Sequence, residues 1–366
     1  MGDQHVDNAL VDNAIFKFNV AKEGGTAYYV DGANGNDSYN GLSWQKPFAT
    51  IQHAIDTAPE WATIYVKYLA SSYLSATAAA AQPDIDVNDG SEFKADQYVL
   101  IMNDDYTREL HQISSVSGNT ITVTADLANE FTTAKNSVLY AVYNETPDIP
   151  IGKDNIRIIG SDQQSAVIAM DAGSGSLVAI TDVSNIYISN LMLVNAQQAG
   201  NGINIDFSEG PAFCQRVWID KCRIVGFAYG IISNAKYNTF SNNFIEYCNN
   251  GLYLTSSYDE VTLNQFISCS VGVLNTGSLG SVHDNTFRSC SKGVYAESGD
   301  TGSVYHNNYL SCTTDEYSDA GTGVQFWDSY HSSLTTDTGN TGICDSRYSV
   351  GGSAAICARA VPAKWG

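Results

Sequence analysis

The sequence predicts an all-β fold, a single-stranded right-handed parallel β-helix with an N-terminal capping helix and a small inserted antiparallel β subdomain. Three observations predict it. First, five stretches are near-copies: Cys222-Arg-Ile-Val-Gly-Phe-Ala-Tyr-Gly230, Asn243-Phe-Ile-Glu-Tyr-Cys-Asn-Asn-Gly251, Asn264-Gln-Phe-Ile-Ser-Cys-Ser-Val-Gly272, Asn285-Thr-Phe-Arg-Ser-Cys-Ser-Lys-Gly293 and Asn307-Asn-Tyr-Leu-Ser-Cys-Thr-Thr-Asp315. They recur every 21 or 22 residues after a looser first step, and such a period marks a solenoid whose coils bury their apolar faces only by stacking. Second, the copies align into columns: Asn190, Cys222, Asn243, Asn264, Asn285 and Asn307; then Met192, Ile224, Ile245, Phe266, Phe287 and Tyr309; then Phe227, Cys248, Cys269, Cys290 and Cys312; then Gly230, Gly251, Gly272 and Gly293. Like residues in register suit parallel strands roughly 4.8 Å apart. Third, long helical periodicity is missing from residue 154 onward, and neither a leucine-rich pattern nor a calcium-binding nonapeptide repeat occurs.

The elements follow in order. Residues 1–25 read as an assembly arm, with Val6-Asp-Asn-Ala-Leu10 repeated at once as Val11-Asp-Asn-Ala-Ile15. Residues 26–366 read as the β-helix domain, with a capping motif at 28–58, roughly seven or eight coils over about 60–70 and 147–330, and a C-terminal cap at 331–366. Ile51, Ala54, Ile55 and Ala58 recur at helical spacing behind Thr50, a residue suited to cap a helix start. Such a helix would cover the open strand edge of the first coil. Ile64-Tyr-Val66 then reads as a coil strand, as do Ile156–Ile159, Ile186–Ile188, Arg216–Ile219 and Gly251–Leu254. Asn at one corner is expected to tolerate a left-handed backbone, and Gly at a second corner to supply positive φ. Residues 67–85 are rich in Ala and Ser and read as linker, and 86–143 as an inserted small β subdomain, from the alternation in Tyr98–Met102, His111–Val116 and Thr120–Thr124.

The stretch Tyr28-Tyr-Val-Asp-Gly-Ala-Asn-Gly-Asn-Asp37 through Pro47-Phe-Ala-Thr50-Ile-Gln-His-Ala-Ile55 resembles the N-terminal motif of pectin-lyase-like β-helix proteins. With the repeats, the resemblance reaches over most of the chain except residues 80–146. It implies the solenoid fold with a loop-and-helix cap. That family includes polysaccharide lyases, glycoside hydrolases, epimerases and bacteriophage tailspikes and fibres, so it implies several activities. This chain is most like the phage fibre and tailspike type.

Composition narrows the classes. Thirty-nine acidic against 18 basic side chains give a formal net charge of −21, which argues against nucleic acid or an anionic membrane as partner. No apolar run approaches membrane-spanning length. The start, Met1-Gly-Asp-Gln-His5, lacks a basic n-region and an apolar h-region, so no Sec-type signal peptide is expected. Of 8 Cys, Cys248, Cys269, Cys290 and Cys312 share one inward column. A reduced ladder is expected there, with disulfides as the alternative. Cys344 and Cys357 lie outside the repeats and could close a C-terminal loop.

Chemistry is less legible. A glycan-cleaving β-helix needs two carboxylates in one groove, roughly 5 to 10 Å apart. The candidates are Asp220, Glu246, Asp259, Glu260, Asp284 and Glu297, and none forms a repeated column. The family's polygalacturonase motifs are missing; the one Asp-Asp pair, Asp104-Asp105, falls in the insertion. Val217-Trp-Ile-Asp220-Lys-Cys resembles a pectate-lyase signature, but Lys221 stands where that pattern has His. Asp31, Asn34, Asn36 and Asp37 could hold calcium, or could serve turn chemistry. His5, His53, His111, His283, His306 and His331 are dispersed, and no Ser/His/Asp constellation is seen.

No catalytic, cofactor or metal residue is therefore assigned. The expected function is a virion structural protein (a phage fibre, spike or head-decoration component), extracellular or on the virion, whose β-helix binds host-surface glycans. Residues 1–25 and 86–143 would meet other virion proteins or sister subunits in a homo-oligomer. The alternatives are a polysaccharide lyase or glycoside hydrolase of this fold, including a depolymerising tailspike, and a secreted bacterial surface β-helix.

Overall fold

The computed structural model describes residues 25–161, 165–207, 216–255, 258–277, 280–297, 301–318, 323–327 and 330–331. The segment expected to be an assembly arm (apart from Gly25), the expected C-terminal cap beyond His331, and Cys344 and Cys357 lie outside the described residues.

Each coil contributes one short strand to each of three parallel sheets. In one coil these are Thr239–Ser241, Phe244–Glu246 and Asn250–Leu254. Among the described residues the first sheet has ten strands, and the second and third have eight each. The result is a right-handed parallel β-helix. Its core is one continuous column of apolar side chains from Tyr28 to Cys312. In the later coils Phe266, Phe287 and Tyr309 stack face to face, with centroids 4.8 and 5.0 Å apart, close to the offset spacing that aromatic pairs prefer.

The corner between the first and second sheets is held by buried amides. Asn264 Oδ1 accepts the backbone N–H of Asn243 at 2.9 Å and its Nδ2 at 3.0 Å. Asn264 Nδ2 donates in turn to Phe240 O at 2.8 Å and to Asn285 Oδ1 at 3.0 Å. The same pattern runs from Cys222 N–H to Asn307. From Cys222 to Asn307 each amide thus satisfies buried donors of the coil before it.

Three sequence expectations about the corners need correction. The left-handed residue is not the ladder Asn but the one before it: Lys221, Asn242, Leu263, Asp284 and His306, with φ of 54, 55, 58, 56 and 53°. These residues tolerate that conformation because the amide ladder and the flanking strands fix the turn. The recurring glycines do not have positive φ; they lie in third-sheet strands. A Cβ on Gly251 would sit 2.7 Å from Phe266 Cδ1 and 2.5 Å from Gly272 O, so close approach of the next coil excludes a side chain. Finally, Asn190 is the left-handed corner itself (φ 56°), and Leu193, not Met192, pairs with Ile224. That one-residue slip turns Met192 outward.

Helix α1 (Ile51–Thr57) caps the first coil, burying Ile51, Ala54 and Ile55. Thr50 Oγ1 accepts the His53 N–H. Glu145, unread in the sequence, accepts the Ile51 and Gln52 N–H groups at 2.9 and 3.0 Å.

The inserted subdomain is larger than expected. The stretch read as linker supplies the strands Ala70–Tyr73 and Asp84–Asp86, and the six-stranded antiparallel sheet ends with Val138–Val142. Its small residues face inward: Ala70 and Ala78 are buried in a separate core with Phe93, Ile113 and Phe131. A bridge from Leu74 to Val87 joins the two edge strands, closing a small barrel. The barrel lies on the second sheet, packing Leu100, Met102 and Val142 against Val167, Met192, Val194 and Val225. Arg108 pins this contact: it is buried and donates to Asn195 O at 2.6 Å, Tyr106 O at 2.8 Å and Gly226 O at 3.4 Å. Gly226 (φ 79°) has no room for a Cβ beside that guanidinium.

Candidate functional site

With the second sheet covered over its early coils, the outer face of the first sheet is the one that gathers chemistry. Side chains alternate along a strand, so each three-residue strand sends its first and third residues outward. The third-residue column runs Tyr29, Tyr65, Ile159, Ser189, Asp220, Ser241, Thr262, His283 and Tyr305. The neighbouring column contains Arg157, Tyr187, Trp218, Thr239 and Glu260.

Rings punctuate this strip. Tyr29 stacks on Tyr65 at 5.6 Å and meets Trp44 edge-on at 4.8 Å. Tyr187 meets Trp218 edge-on at 5.1 Å, with the Arg157 guanidinium 5.5 Å from the Tyr187 ring. His283 stacks on Tyr305 at 4.8 Å.

Asp220 is a buried keystone. Its Oδ1 accepts Ser241 Oγ at 2.9 Å and Asn242 Nδ2 at 2.7 Å, and its Oδ2 takes the Tyr187 hydroxyl at 3.3 Å. Ser241 Oγ accepts Trp218 Nε1 at 2.7 Å. The carboxylate therefore fixes the rings of Tyr187 and Trp218 rather than facing solvent.

Three coils beyond Asp220, His283 lies between carboxylates: Nδ1 is 2.8 Å from Asp284 Oδ2 and Nε2 is 3.3 Å from Glu260 Oε1. His306 Nδ1 is 3.7 Å from Asp284 Oδ1. Only the imidazolium donates from both nitrogens. Glu260 raises the His283 pKa, and Asp284 adds to this against the partial burial that lowers it. His283 and His306, dispersed in sequence, are thus brought together on adjacent coils.

The other candidates do not join this site. Glu246 lies under the inserted barrel, taking Arg223 Nε at 2.6 Å and the Tyr106 hydroxyl at 3.2 Å. Asp259 is buried in a second, shorter ladder with Asn238. Glu297 follows the third-sheet strand Lys292–Ala296. Asp104 and Asp105 occupy a barrel turn with Asn136 and Lys135. His53 packs against Phe48, and His111 contacts Glu109.

The oxygens considered for calcium accept protein donors. Asp37 takes Ala49 N–H, Thr50 N–H and Thr50 Oγ1, and Asn36 takes Ser38 N–H. Burial works against the Asp31 charge, but Lys67 at 2.8 Å, Asn34 and Ala33 outweigh it and hold its pKa below the ordinary value.

Cys222, Cys248, Cys269, Cys290 and Cys312 are free and buried. Burial pushes Cys222 up to about 12. Cys269, Cys290 and Cys312 each donate to a backbone carbonyl of the preceding coil at 3.6 Å.

Strand register defines a right-handed parallel β-helix protein. Within that class, residues 178–345 match the family model described as "Periplasmic copper-binding protein (NosD)". No curated protein matches the sequence. Among solved structures, XylC in complex with xylose is 14% identical, with a TM-score of 0.45, covering 88% of this chain and 70% of that one. The tailspike gp61 of Pseudomonas phage phi297 is 11% identical, with a TM-score of 0.28 over 75% of this chain and 65% of its own. The GH136 lacto-N-biosidase from Eubacterium ramulus is 10% identical, with a TM-score of 0.43 over 93% and 68%. Copper does not fit the described residues. No group of three or more His, Cys, Asp or Glu among them could hold a metal ion, and the ladder thiols point into the apolar core. No described helix is long and apolar enough to cross a membrane.

Proposed function

We propose that this chain is a glycan-binding β-helix that serves as a structural component of a virion, with the outer face of the first sheet as its binding surface. The observation that carries this reading is the strip of rings fixed by polar partners: Tyr187 and Trp218 held by Asp220 and Ser241, and His283 stacked on Tyr305. Sugars present C–H faces that stack on such rings and hydroxyls that pair with carboxylates and imidazoles. Pre-fixed rings lose little entropy on binding. Host-surface polysaccharide fragments should bind in calorimetry, and Trp218→Ala should abolish binding while the fold is kept. Unchanged binding by that variant would refute the site. Mass spectrometry of purified particles tests the virion role, and absence of the chain from them would refute it.

A second reading is glycoside hydrolysis. It is favoured by Glu260 and Asp284, which flank one imidazole ring and so fall within the ~5–10 Å that such carboxylates need. His283 fills the space between them, which favours binding over turnover. Release of reducing ends from host polysaccharide, lost in both Glu260→Gln and Asp284→Asn, would establish catalysis instead.

A further inference from the structure

The ring strip on the first sheet has a gap. Trp218 and His283 stand three coils apart, roughly 14 Å at ~4.8 Å per coil. The two coils between them turn Thr239, Ser241, Glu260 and Thr262 outward, and none of these is a ring. A sugar chain running from one station to the other would cross this stretch over hydroxyls and one carboxylate.

The missing rings lie at the rim. Side chains that alternate along a strand return to the same face at every second residue. Two residues before Trp218, Thr239 and Glu260 stand Arg216, Tyr237 and Tyr258, each followed by a buried corner residue, Val217, Asn238 or Asp259. Tyr237 and Tyr258 therefore edge the first-sheet face on the two coils that lack a ring. They are 48% and 58% exposed. Their ring centroids are 5.2 Å apart, with 9° between the planes. Their backbone is left-handed, with φ of 59 and 70°, as is that of Arg216 at 67°. The corner dictates that conformation, but it does not dictate Tyr. Gly or Asn adopts it with less strain, and an exposed ring buries little apolar area in return. Two successive coils nonetheless carry the same bulky side chain, stacked on its neighbour and open to solvent.

We infer that Tyr237 and Tyr258 form a side wall of the glycan strip and bind the interior of an extended linear glycan between Trp218 and His283. The inference rests on the glycan reading and adds what that reading leaves open, a ligand long enough to touch both stations. From Trp218 through Tyr237 and Tyr258 to His283 and Tyr305, rings then occupy five successive coils, roughly 19 Å from first to last. Mutual stacking holds the Tyr pair in place before a ligand arrives, so little side-chain freedom is lost on binding. Sugar C–H groups pack on the rings, and the phenol hydroxyls pair with sugar hydroxyls.

The test is calorimetry of the full chain with host-surface polysaccharide fragments graded from disaccharide to octasaccharide. Wild type should bind the octasaccharide at least tenfold more tightly than the disaccharide. Tyr237→Asn with Tyr258→Asn removes both rings and suits the left-handed corners. That variant should lose at least tenfold in octasaccharide affinity while its disaccharide affinity and melting temperature are kept. Tyr258→Asn alone, a milder change, should lose at least threefold. Tyr237→Phe with Tyr258→Phe should keep most of the octasaccharide affinity, and Tyr73→Asn, at an exposed barrel tyrosine, should change nothing. Octasaccharide affinity untouched by the double Asn variant overturns the inference, and so does an equal loss on both fragments. Either result leaves the glycan reading standing wherever Trp218→Ala abolishes binding. A wild-type chain that binds no fragment overturns both.

Discussion

Asp259 is an acid buried beside the amide of Asn238, and replacing it with Asn exposes the consequence. The side chain is 2% exposed. Its Oδ1 accepts the Asn238 N–H at 2.9 Å and Asn238 Nδ2 at 3.0 Å, while its buried Oδ2 has no hydrogen-bond partner. Burial pushes its pKa up to about 7, against the pull of the Asn238 hydrogen bonds. An Asp in the unfolded chain titrates near ~3.9. The folded value is the higher, so the folded chain binds this proton more tightly. The resulting stabilisation is complete below pH ~3.9 and lost as pH rises through about 7. A difference of roughly three units at ~1.36 kcal/mol each makes this about 4 kcal/mol. Asp259→Asn carries no charge at any pH, but its amide leaves donors unpaired at the Oδ2 position, at a cost of about 1–2 kcal/mol. The variant should therefore be about 2–3 kcal/mol more stable than wild type at pH 8. That advantage should shrink by ~1.4 kcal/mol per unit below pH 7 and vanish by about pH 5. Urea denaturation followed by tryptophan fluorescence across pH 4 to 8 reads the difference directly, because all other titrations cancel. A pH-independent difference, or a variant less stable at pH 8, refutes the reasoning.

Other outcomes test the remaining supports. Asn264→Ala strands the Asn243 N–H and the Phe240 carbonyl inside the wall. It should cost about 4 kcal/mol in denaturant melts, and a loss below ~1 kcal/mol would show that the ladder contributes little. Arg108→Ala removes the pin between barrel and second sheet; limited proteolysis should then cut the junctions near residues 67–70 and 142–147, with a loss of about 2–4 kcal/mol. Thiol titration of unfolded, unreduced protein should recover at least Cys222, Cys248, Cys269, Cys290 and Cys312 as free thiols, with slow reaction in the native state because all five are buried. Recovery of the four ladder residues as two disulfides would contradict the ladder.

The parts of the fold legible in sequence were those where one physical need repeats in every coil. Buried amides must pair with the coil before, so Asn243, Asn264, Asn285 and Asn307 show as a column. Inward aromatics must stack, so Phe266, Phe287 and Tyr309 do too. The left-handed corners were hidden because Lys221, Leu263 and His306 carry no side-chain signature for that conformation. The barrel was partly hidden because its first strand is built from Ala and Ser, whose small inward side chains look like linker. The site escaped for a different reason. A surface site on a solenoid takes one residue from each of several coils, so Trp218, Asp220, Glu260 and His283 are neighbours across the wall and strangers along the chain. Extending the aligned columns backward from the ladder Asn would have placed Asp220, Ser241, Thr262, His283 and Tyr305 in one line.

The amide ladder also acts as a ruler. Each Asn engages only the coils directly before and after it, and the offset between successive amides is 21 residues through most of the ladder. Excising or duplicating one such unit would rejoin identical partners with no new kind of contact. The solenoid can therefore change length in whole steps of ~4.8 Å while its cap, barrel clamp and thiol column stay as they are. What such a step alters is the reach between Trp218 and His283 on the open face, so the spacing of groups recognised along an extended ligand can be retuned without redesigning a single side chain.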